Sequence, residues 1–139
     1  MMELLIGKTD SDHIVIHILG RSSFNRGHCG GVFLSAEIEI SAGSFWGQVG
    51  ANLSANELSV FGTDLARLYS FDSRGCDFRA CDGSLSLKID GDGLGNFGAD
   101  CDAADGGGNT LSFQLTFDQT QIPEMVRKLS EVHREFCAA

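Results

Sequence analysis

The sequence predicts an α+β fold, a single antiparallel sheet of about six to seven strands with two amphipathic helices packed on one of its faces. Three observations lead to this fold class. Segments of alternating apolar and polar residues follow one another across short turns rich in Gly, Asp and Ser, which is typical of consecutive hairpins. Two other segments repeat their apolar residues every three or four positions, as amphipathic helices do. Because hairpins pair antiparallel and each helix has one apolar side, the helices should cover one sheet face.

The chain begins with a predicted hairpin. Leu4 to Gly7 and His13 to Leu19 can pair as strands across the polar turn at residues 8–12. A loop from Arg21 to Gly31, rich in Gly, Ser and Asn, leads into a third strand from Val32 to Ile40. From Leu34 onward, apolar and polar residues alternate in this strand, so one of its faces should be solvated.

A fourth strand and the first helix follow directly. In the strand at residues 45–53, Phe45 and the other odd-numbered apolar residues should face inward, and Trp46 should face outward. Ser54 and Glu57 form a capping-box pattern, in which the hydroxyl accepts the amide of Glu57 and the carboxylate reaches back to the amide of Ser54. A helix should therefore begin there and run to residue 69. Gly62 indicates a close packing contact, because Gly costs a helix about 1 kcal/mol relative to Ala. The apolar stripe of this helix consists of Leu58, Phe61, Leu65 and Leu68.

The second half of the chain contains further strands and a closing helix. Leu85 to Ile89 alternates, turns through residues 90–96 and returns through Phe97 to Cys101. The glycines of that turn, at positions 91, 93 and 95, are explained by positive φ in a hairpin connection. Leu111 to Phe117 is the last strand. Thr120 can cap a helix that runs to residue 136 and tolerates Pro123 in its first turn. The apolar stripe of this helix consists of Ile122, Met125, Val126, Leu129 and Phe136. No linker, internal repeat or low-complexity tract is visible.

Length and charge limit the possible functions. At 139 residues the chain fits one domain, residues 1–139, that buries roughly two thirds of its unfolded surface. The net charge of −9 disfavours binding to nucleic acid and to anionic membranes, and it favours basic partners. The sequence shows no recognisable signal peptide or membrane span. We therefore expect a cytoplasmic protein whose five cysteines are reduced and mostly buried.

Two groups of residues could suggest a zinc site. His13 and His17 are four residues apart, but on a strand their α-carbons would lie about 13 Å apart, too far to share one zinc ion. A site assembled from scattered residues can also be imagined, although an isolated cysteine is more often a small buried hydrophobic side chain. The ligands of such a site would come from Cys76, Cys81, Cys101, His28 and Cys29.

Residues 90–101 partly match the pattern of a calcium-binding loop. Asp90 and Asp92 occupy its first and third positions, and Gly95 its sixth. Leu94 and Cys101 stand at the fifth and twelfth positions, where the pattern requires oxygen ligands. We therefore expect the chain to fold without a bound metal.

The sequence contains no recognisable catalytic motif. It lacks a Gly-x-Ser-x-Gly nucleophile elbow, a His-Glu-x-x-His zinc motif and a phosphate-binding loop with Gly-Lys-Ser/Thr. No catalytic, cofactor-binding or metal-binding residue is predicted, and no cofactor is implied. The alternative to a non-enzymatic protein-binding function is a small-ligand-binding protein, or an enzyme whose site is assembled only in three dimensions.

Acidic residues concentrate between positions 72 and 105, where the chain has eight aspartates and three cations. Such charges can simply keep a sheet edge solvated and prevent edge-to-edge aggregation. They can also form a docking face for a basic protein, because complementary charge raises the association rate and selects the partner. The candidate partner-binding residues are Asp77, Asp82, Asp90, Asp92, Asp100 and Asp102.

Three blocks of the sequence, taken in order, resemble a known family. The first, with FWG and NLSANEL, runs from Phe45 to Leu65, and the second, GSLSL into GDGLG, runs from Gly83 to Gly95. The third, with NTLSF, FDQT and IP, runs from Asn109 to Pro123 and continues into the closing helix. In this order the blocks resemble the WapI-type immunity proteins of bacteria, small cytoplasmic antidotes to contact-delivered toxins. The resemblance covers roughly residues 45–132.

This resemblance implies a protein that binds and neutralises a cognate toxin domain without catalysis. The toxin domain would be the C-terminal domain of a secreted protein, in many cases a nuclease. The resemblance transfers no catalytic or binding residue to this chain. It agrees with the acidity, because a toxin surface that binds RNA is basic. Residues 1–40 and the segment from Cys76 to Cys81 lie outside the resemblance.

Overall fold

The computed structural model describes residues 2–22 and 31–136. Within these ranges, eight strands and two α-helices follow the order ββββα twice. The first half contains β1 (Met2–Gly7), β2 (His13–Arg21), β3 (Phe33–Ala42), β4 (Phe45–Ser54) and α1 (Ala55–Tyr69). The second half contains β5 (Gly75–Arg79), β6 (Leu85–Gly91), β7 (Asn96–Ala104), β8 (Thr110–Asp118), a 3₁₀ turn (Gln119–Gln121) and α2 (Ile122–Phe136).

The strands form two sheets, so the prediction of a single sheet of six to seven strands is wrong. The first sheet has the order β1-β2-β3-β4 and the second the order β5-β6-β7-β8, with antiparallel neighbours throughout. Alternation in a sequence identifies strands and their buried faces, but it does not show which strand edges pair. Here α1 separates β4 from β5, and each group of four strands forms its own sheet. The sequence does not predict β5, because Phe78 is the one buried residue among its five.

The two halves share one topology although the sequence shows no internal repeat. The same order of elements requires matching alternation and apolar stripes, and it does not require matching residues. The helices also cross at equivalent points. Gly62 and Leu129 are each the middle residue of a helix of 15 residues. A Cβ atom placed on Gly62 would lie 3.4 Å from the Cβ atom of Leu129, so the close contact predicted at Gly62 is confirmed.

The helices do not cover one face of one sheet as predicted. They pack against each other, and each also contacts the first strand of the other half: α1 contacts β5, and α2 contacts β1. A continuous cluster of buried apolar residues includes members of both sheets and both helices. Neither helix is long and apolar enough to cross a membrane, and none other is found in residues 2–22 and 31–136.

The helix caps agree only in part with the sequence. Ser54 Oγ accepts a hydrogen bond from the Glu57 amide at 3.4 Å, as predicted. The Glu57 carboxylate instead accepts the amide of Cys81 at 3.3 Å, so it holds the β5–β6 turn against α1. Before the second helix, Asp118 is the capping residue in place of Thr120, because its carboxylate accepts the Thr120 amide at 2.9 Å.

Turns of each sheet contact the last strand of the other sheet. In the β5–β6 turn, Asp82 Oδ2 accepts the amide of Asn52 in β4 at 2.8 Å. In the β1–β2 turn, Lys8 Nζ lies 3.2 Å from Asp118 Oδ2 at the end of β8. Strands β4 and β8 are both sheet edges, where unpaired backbone groups invite aggregation. The turn contacts therefore protect part of each edge.

Candidate protein-docking surface

The outer side of the second sheet brings together four of the six predicted aspartates. We call this solvent-exposed side of β5–β8 the acidic face. Strand pairing places Asp77 beside Lys88 and Lys88 beside Asp100 in one row across the sheet. The charged residues of the acidic face are Asp77, Asp90, Asp100, Asp102, Arg79 and Lys88. Asp118, at the end of β8, lies on the same side but is paired with Lys8, so it is not counted with them. Four carboxylates against two cations give the face an excess of negative charge.

Hydrogen bonds from β8 hold the two carboxylates of β7 in place. Gln114 Nε2 donates to Asp100 Oδ1 at 2.9 Å, and Ser112 Oγ donates to Asp102 Oδ1 at 2.5 Å. Strand β7 lies between β6 and β8, so its backbone is paired on both sides. These two carboxylates are therefore ordered before any partner arrives, which lowers the entropy that binding would cost.

The other two predicted aspartates stabilise turns and do not belong to the acidic face. Asp82 accepts the amide of Ser84 at 3.0 Å in addition to that of Asn52. Asp92 accepts two backbone amides of its own turn, at 2.7 and 3.1 Å, and the side-chain amide of Asn96 at 2.9 Å. Both carboxylates are exposed, but they lie in turns and not on the outer side of the sheet, and part of their hydrogen-bonding capacity is used within the fold.

The β6–β7 and β7–β8 turns share the sequence pattern Asp-Gly-x-Gly-Asn. Asp105 in the second turn makes the same three kinds of hydrogen bond as Asp92 in the first. The second and fourth residues of the pattern, which are glycines in both turns, have positive φ, and this confirms the explanation predicted for Gly93 and Gly95. For Gly91 that explanation is wrong. Its φ is not positive, and a Cβ atom there would lie 2.8 Å from the ring of Phe97, so close approach requires the glycine.

Three carboxylates have a lowered pKa because they accept hydrogen bonds, two of them in these turns and the third in the 3₁₀ turn after β8. The pKa of Asp92 and of Asp105 lies below its usual value, mainly because a side-chain amide of the same turn donates to the carboxylate. The pKa of Asp118 is lowered mainly by the hydroxyl of Thr120, with smaller contributions from its amide and from Lys8. We call these three residues the turn carboxylates: Asp92, Asp105 and Asp118.

His17 and Asp92, two of the residues considered for metal binding, have other partners in the fold. In the part of the chain that the structure describes, no three His, Cys, Asp or Glu side chains lie close enough together to hold an ion. The two ring nitrogens of His17 lie 2.9 Å from a Glu3 oxygen and 3.1 Å from a Glu39 oxygen. In the calcium-like segment, the Asp92 oxygens accept amide protons. His28 and Cys29 lie outside the described residues.

The cysteines differ in state. Cys76 and Cys101 are free thiols, and burial, followed by neighbouring aspartates, raises the pKa of each to about 12. Both thiols are therefore protonated at neutral pH and are poor nucleophiles. Cys81 is disulfide-bonded, so the prediction of reduced cysteines is wrong at this position. It is also exposed, which makes it an exception to the prediction that the cysteines are mostly buried. Spacing in the sequence could not show this pairing.

A hollow of about 410 Å³ lies between the β1–β2 turn and one end of the second sheet. Its charged lining residues are Lys8, Asp90, Asp92 and Asp118. Lys8 pairs with Asp118, and Asp92 and Asp118 also accept hydrogen bonds from their own turns. These groups hold the fold together, so the hollow gives little support to the alternative of a small-ligand site.

The prediction that Trp46 faces outward is confirmed, but sequence reasoning missed that Phe45 is exposed beside it. Phe45, which was predicted to face inward, is 67% exposed, and Trp46 is 65% exposed. Phe45 pairs with Ala42 at the very end of the β3–β4 hairpin, where alternation no longer guarantees a covering neighbour. The two rings line a groove of about 300 Å³ that residues of the β7–β8 turn complete. A tryptophan on the outward side of a strand is the signal that could have indicated this surface.

One solved structure supports the two-sheet fold. The crystal structure of MRP1/MRP2 from Trypanosoma brucei aligns with this chain at a TM-score of 0.50 and 12% sequence identity. The alignment covers 96% of this chain and 84% of the other. At such low identity, the similarity concerns the fold alone. No curated protein sequence matches the chain significantly.

The family comparison is more informative about function. The model of the Immunity protein WapI-like family matches residues 4–137, which is nearly the whole chain. This match confirms the resemblance seen in the three sequence blocks and extends it to β1, β2 and β3 of the first sheet. It supports a toxin-neutralising role in general, and immunity proteins are generally non-catalytic. The chain therefore belongs to the Immunity protein WapI-like family.

Proposed function

We propose that this immunity protein binds a basic toxin domain through its acidic face and neutralises it in the cytoplasm, without catalysis. The observation that carries the proposal is the placement of four aspartates on one side of an antiparallel sheet, with two cations among them. Carboxylates on a fully paired sheet keep fixed positions, so they can match a fixed pattern of positive charges on a partner.

The charge of the face favours a nuclease as the toxin domain. A surface that binds nucleic acid is basic, because it neutralises backbone phosphates with Lys and Arg. An acidic protein face can occupy such a surface and exclude the substrate. The same charge should keep this chain, with a net charge of −9, from binding nucleic acid or anionic membranes itself.

The acidic face should determine the speed and selectivity of capture more than the strength of the final complex. Exposed charge pairs contribute little affinity each, because water and salt screen them. Long-range attraction nevertheless speeds encounter and disfavours partners of the wrong charge. A tight complex therefore needs a desolvated apolar contact in addition to the acidic face.

The proposal is tested with the purified C-terminal domain of any large secreted protein that is encoded beside this chain. Calorimetry should show a one-to-one complex with a Kd of about 10 nM or tighter. An unrelated acidic protein of similar net charge is the control, and it should bind at least about 100-fold more weakly. Absence of a complex, or chemical modification of the toxin domain by this chain, would contradict the proposal.

A further inference from the structure

The aromatic pair at the β3–β4 hairpin is exposed to solvent, and this exposure adds nothing to the stability of the isolated protein. A large aromatic side chain stabilises a fold when it is buried, and here Phe45 and Trp46 each leave about two thirds of their surface in water. Tryptophan is also enriched among the residues that contribute most to protein–protein affinity. The pair therefore has the properties of an interface anchor.

A groove beside the pair has room for a side chain. It is about 300 Å³ in volume, and its apolar lining includes Ile40, Ala103 and Leu111. Gly47 in β4 lines the same groove, and a Cβ atom placed on it would meet no atom within 4 Å. The space beside this glycine is thus open, and its φ is not in the left-handed region.

The charge of the groove favours a cation. Among the residues that line it, Asp105 alone is charged. Its Oδ1 accepts two backbone amides of its own turn and its Oδ2 accepts one side-chain amide, so Oδ2 keeps an acceptor position for a further donor. The lowered pKa of Asp105 keeps the carboxylate ionised at neutral pH. An aromatic face and a carboxylate at one groove are the two groups that attract an arginine side chain, which stacks on rings and pairs with carboxylates.

The groove adjoins the acidic face. Thr110 lines the groove, and Ser112, two residues further along β8, donates its hydroxyl to Asp102. Two residues of a strand span about 7 Å, so a partner seated on the acidic face can reach the groove without a gap. This continuity points to one interface that contains both features.

The geometry points to Phe45 and Trp46 as the apolar anchor for the toxin domain, with an arginine of that domain lying in the groove between Trp46 and Asp105. This inference rests on the proposed function and deepens it. The acidic face attracts the partner, and the groove supplies the desolvated contact that slows its release. Removal of the anchor should therefore raise the dissociation rate and leave the association rate almost unchanged.

Two glycines of β4 provide a matched test. Gly47 lines the groove and Gly50 does not, yet a Cβ atom would meet nothing within 4 Å at either position. Gly47→Val fills the groove and removes no existing side chain, and Gly50→Val makes the same change in the same strand. Valine favours strands, so both variants should fold. We expect Gly47→Val and Trp46→Ala to weaken binding of the toxin domain at least about 30-fold, and Gly50→Val less than about threefold.

A second measurement uses the unaltered chain and does not depend on how a variant folds. Trp46 is the single tryptophan of the sequence, so 5-fluorotryptophan labelling gives one ¹⁹F resonance from the proposed anchor. We expect this resonance to shift on addition of the toxin domain. Equal binding by Gly47→Val and Gly50→Val, or an unshifted resonance in the complex, would overturn the anchor and leave the proposed function standing.

Two other outcomes separate this inference from the proposed function. If the unaltered chain does not bind the toxin domain at all, the proposed function fails, and the anchor fails with it. If the free chain is a dimer in sedimentation analysis and Gly47→Val makes it monomeric, the groove holds a second copy of the chain. That result would overturn the arginine assignment, whatever the toxin domain does.

Discussion

Neutralisation of three aspartates on the acidic face should slow capture of the toxin domain. The triple variant Asp77→Asn, Asp90→Asn and Asp100→Asn leaves one aspartate of the face against two cations. Asparagine has nearly the same shape as aspartate, and its carbonyl oxygen can still accept the hydrogen bond that Gln114 donates to position 100. The change therefore removes charge without removing the side chains or their packing.

The expected size of the effect follows from Coulomb attraction in water. A carboxylate about 10 Å from a partner cation during encounter gains about 0.4 kcal/mol at low salt. Three such carboxylates contribute about 1.2 kcal/mol, which corresponds to an association rate about eight times slower in the variant. At an ionic strength of about 0.15 M, screening reduces this contribution roughly threefold, so the rates should differ only about twofold.

Stopped-flow association across a salt series measures this effect. The rate of the variant should depend less steeply on salt than that of the unaltered chain, with little change in the dissociation rate. The matched control carries the same change of charge on the outer side of the first sheet, through Glu3→Gln, Glu37→Gln and Glu39→Gln. Equal association rates at low salt, or an equal slowing by the control, would refute the acidic face as the docking surface.

Three further predictions concern the fold that supports this face. Asp82→Ala should lower the free energy of unfolding by about 1–2 kcal/mol in urea titrations, because the amides of Asn52 and Ser84 lose their acceptor, and Asp82→Asn should lose less; equal stability of the alanine variant would contradict the turn contact. Gly62→Leu should destabilise the fold by about 1–3 kcal/mol, because the larger side chain forces α1 away from Leu129. Gly62→Ala should be neutral or should stabilise the fold by up to about 1 kcal/mol. Thermal unfolding of the two variants distinguishes the effect of packing from that of helix propensity. The turn carboxylates have a lower pKa in the folded chain than in the unfolded chain. The stability they give is therefore present above about pH 4 and is lost as the pH falls through their folded pKa values. The free energy of unfolding, measured from pH 6 to pH 2, should fall toward acid pH, and replacement of all three residues by Asn should make this fall less steep.

The strands and helices could be predicted because their signals are local. The alternation in residues 34–40 and the stripe on α1 depend only on which side of each element is buried. The Ser54 cap is equally local, because hydroxyl and amide lie within one helical turn. The division into two sheets is not local, since it depends on whether β4 pairs with a later strand across α1. In the structure β4 pairs with no later strand, and β4 and β8 are both edge strands. A turn of the other half contacts each of them.

The residues of the candidate site could also be predicted only in part. Asp100 and Asp102 share one side because they are two residues apart on a predicted strand, and Asp90 joins them through the predicted β6–β7 hairpin. Asp77 lies on β5, which the sequence does not predict. Asp82 and Asp92 have the same charge and similar neighbours in the sequence, but they occupy turns where their oxygens accept backbone amides. The exposure of the aromatic pair depends on where the hairpin ends, and single-sequence periodicity places such ends poorly.

The central claim is that this chain neutralises its toxin domain by forming a complex with it. The most direct measurement titrates the activity of that domain, at a fixed concentration well above the expected Kd, with the purified chain. We predict that activity falls linearly and reaches zero when the two concentrations are equal, as it does for a tight one-to-one inhibitor. Full activity in the presence of a several-fold excess of the chain would contradict it.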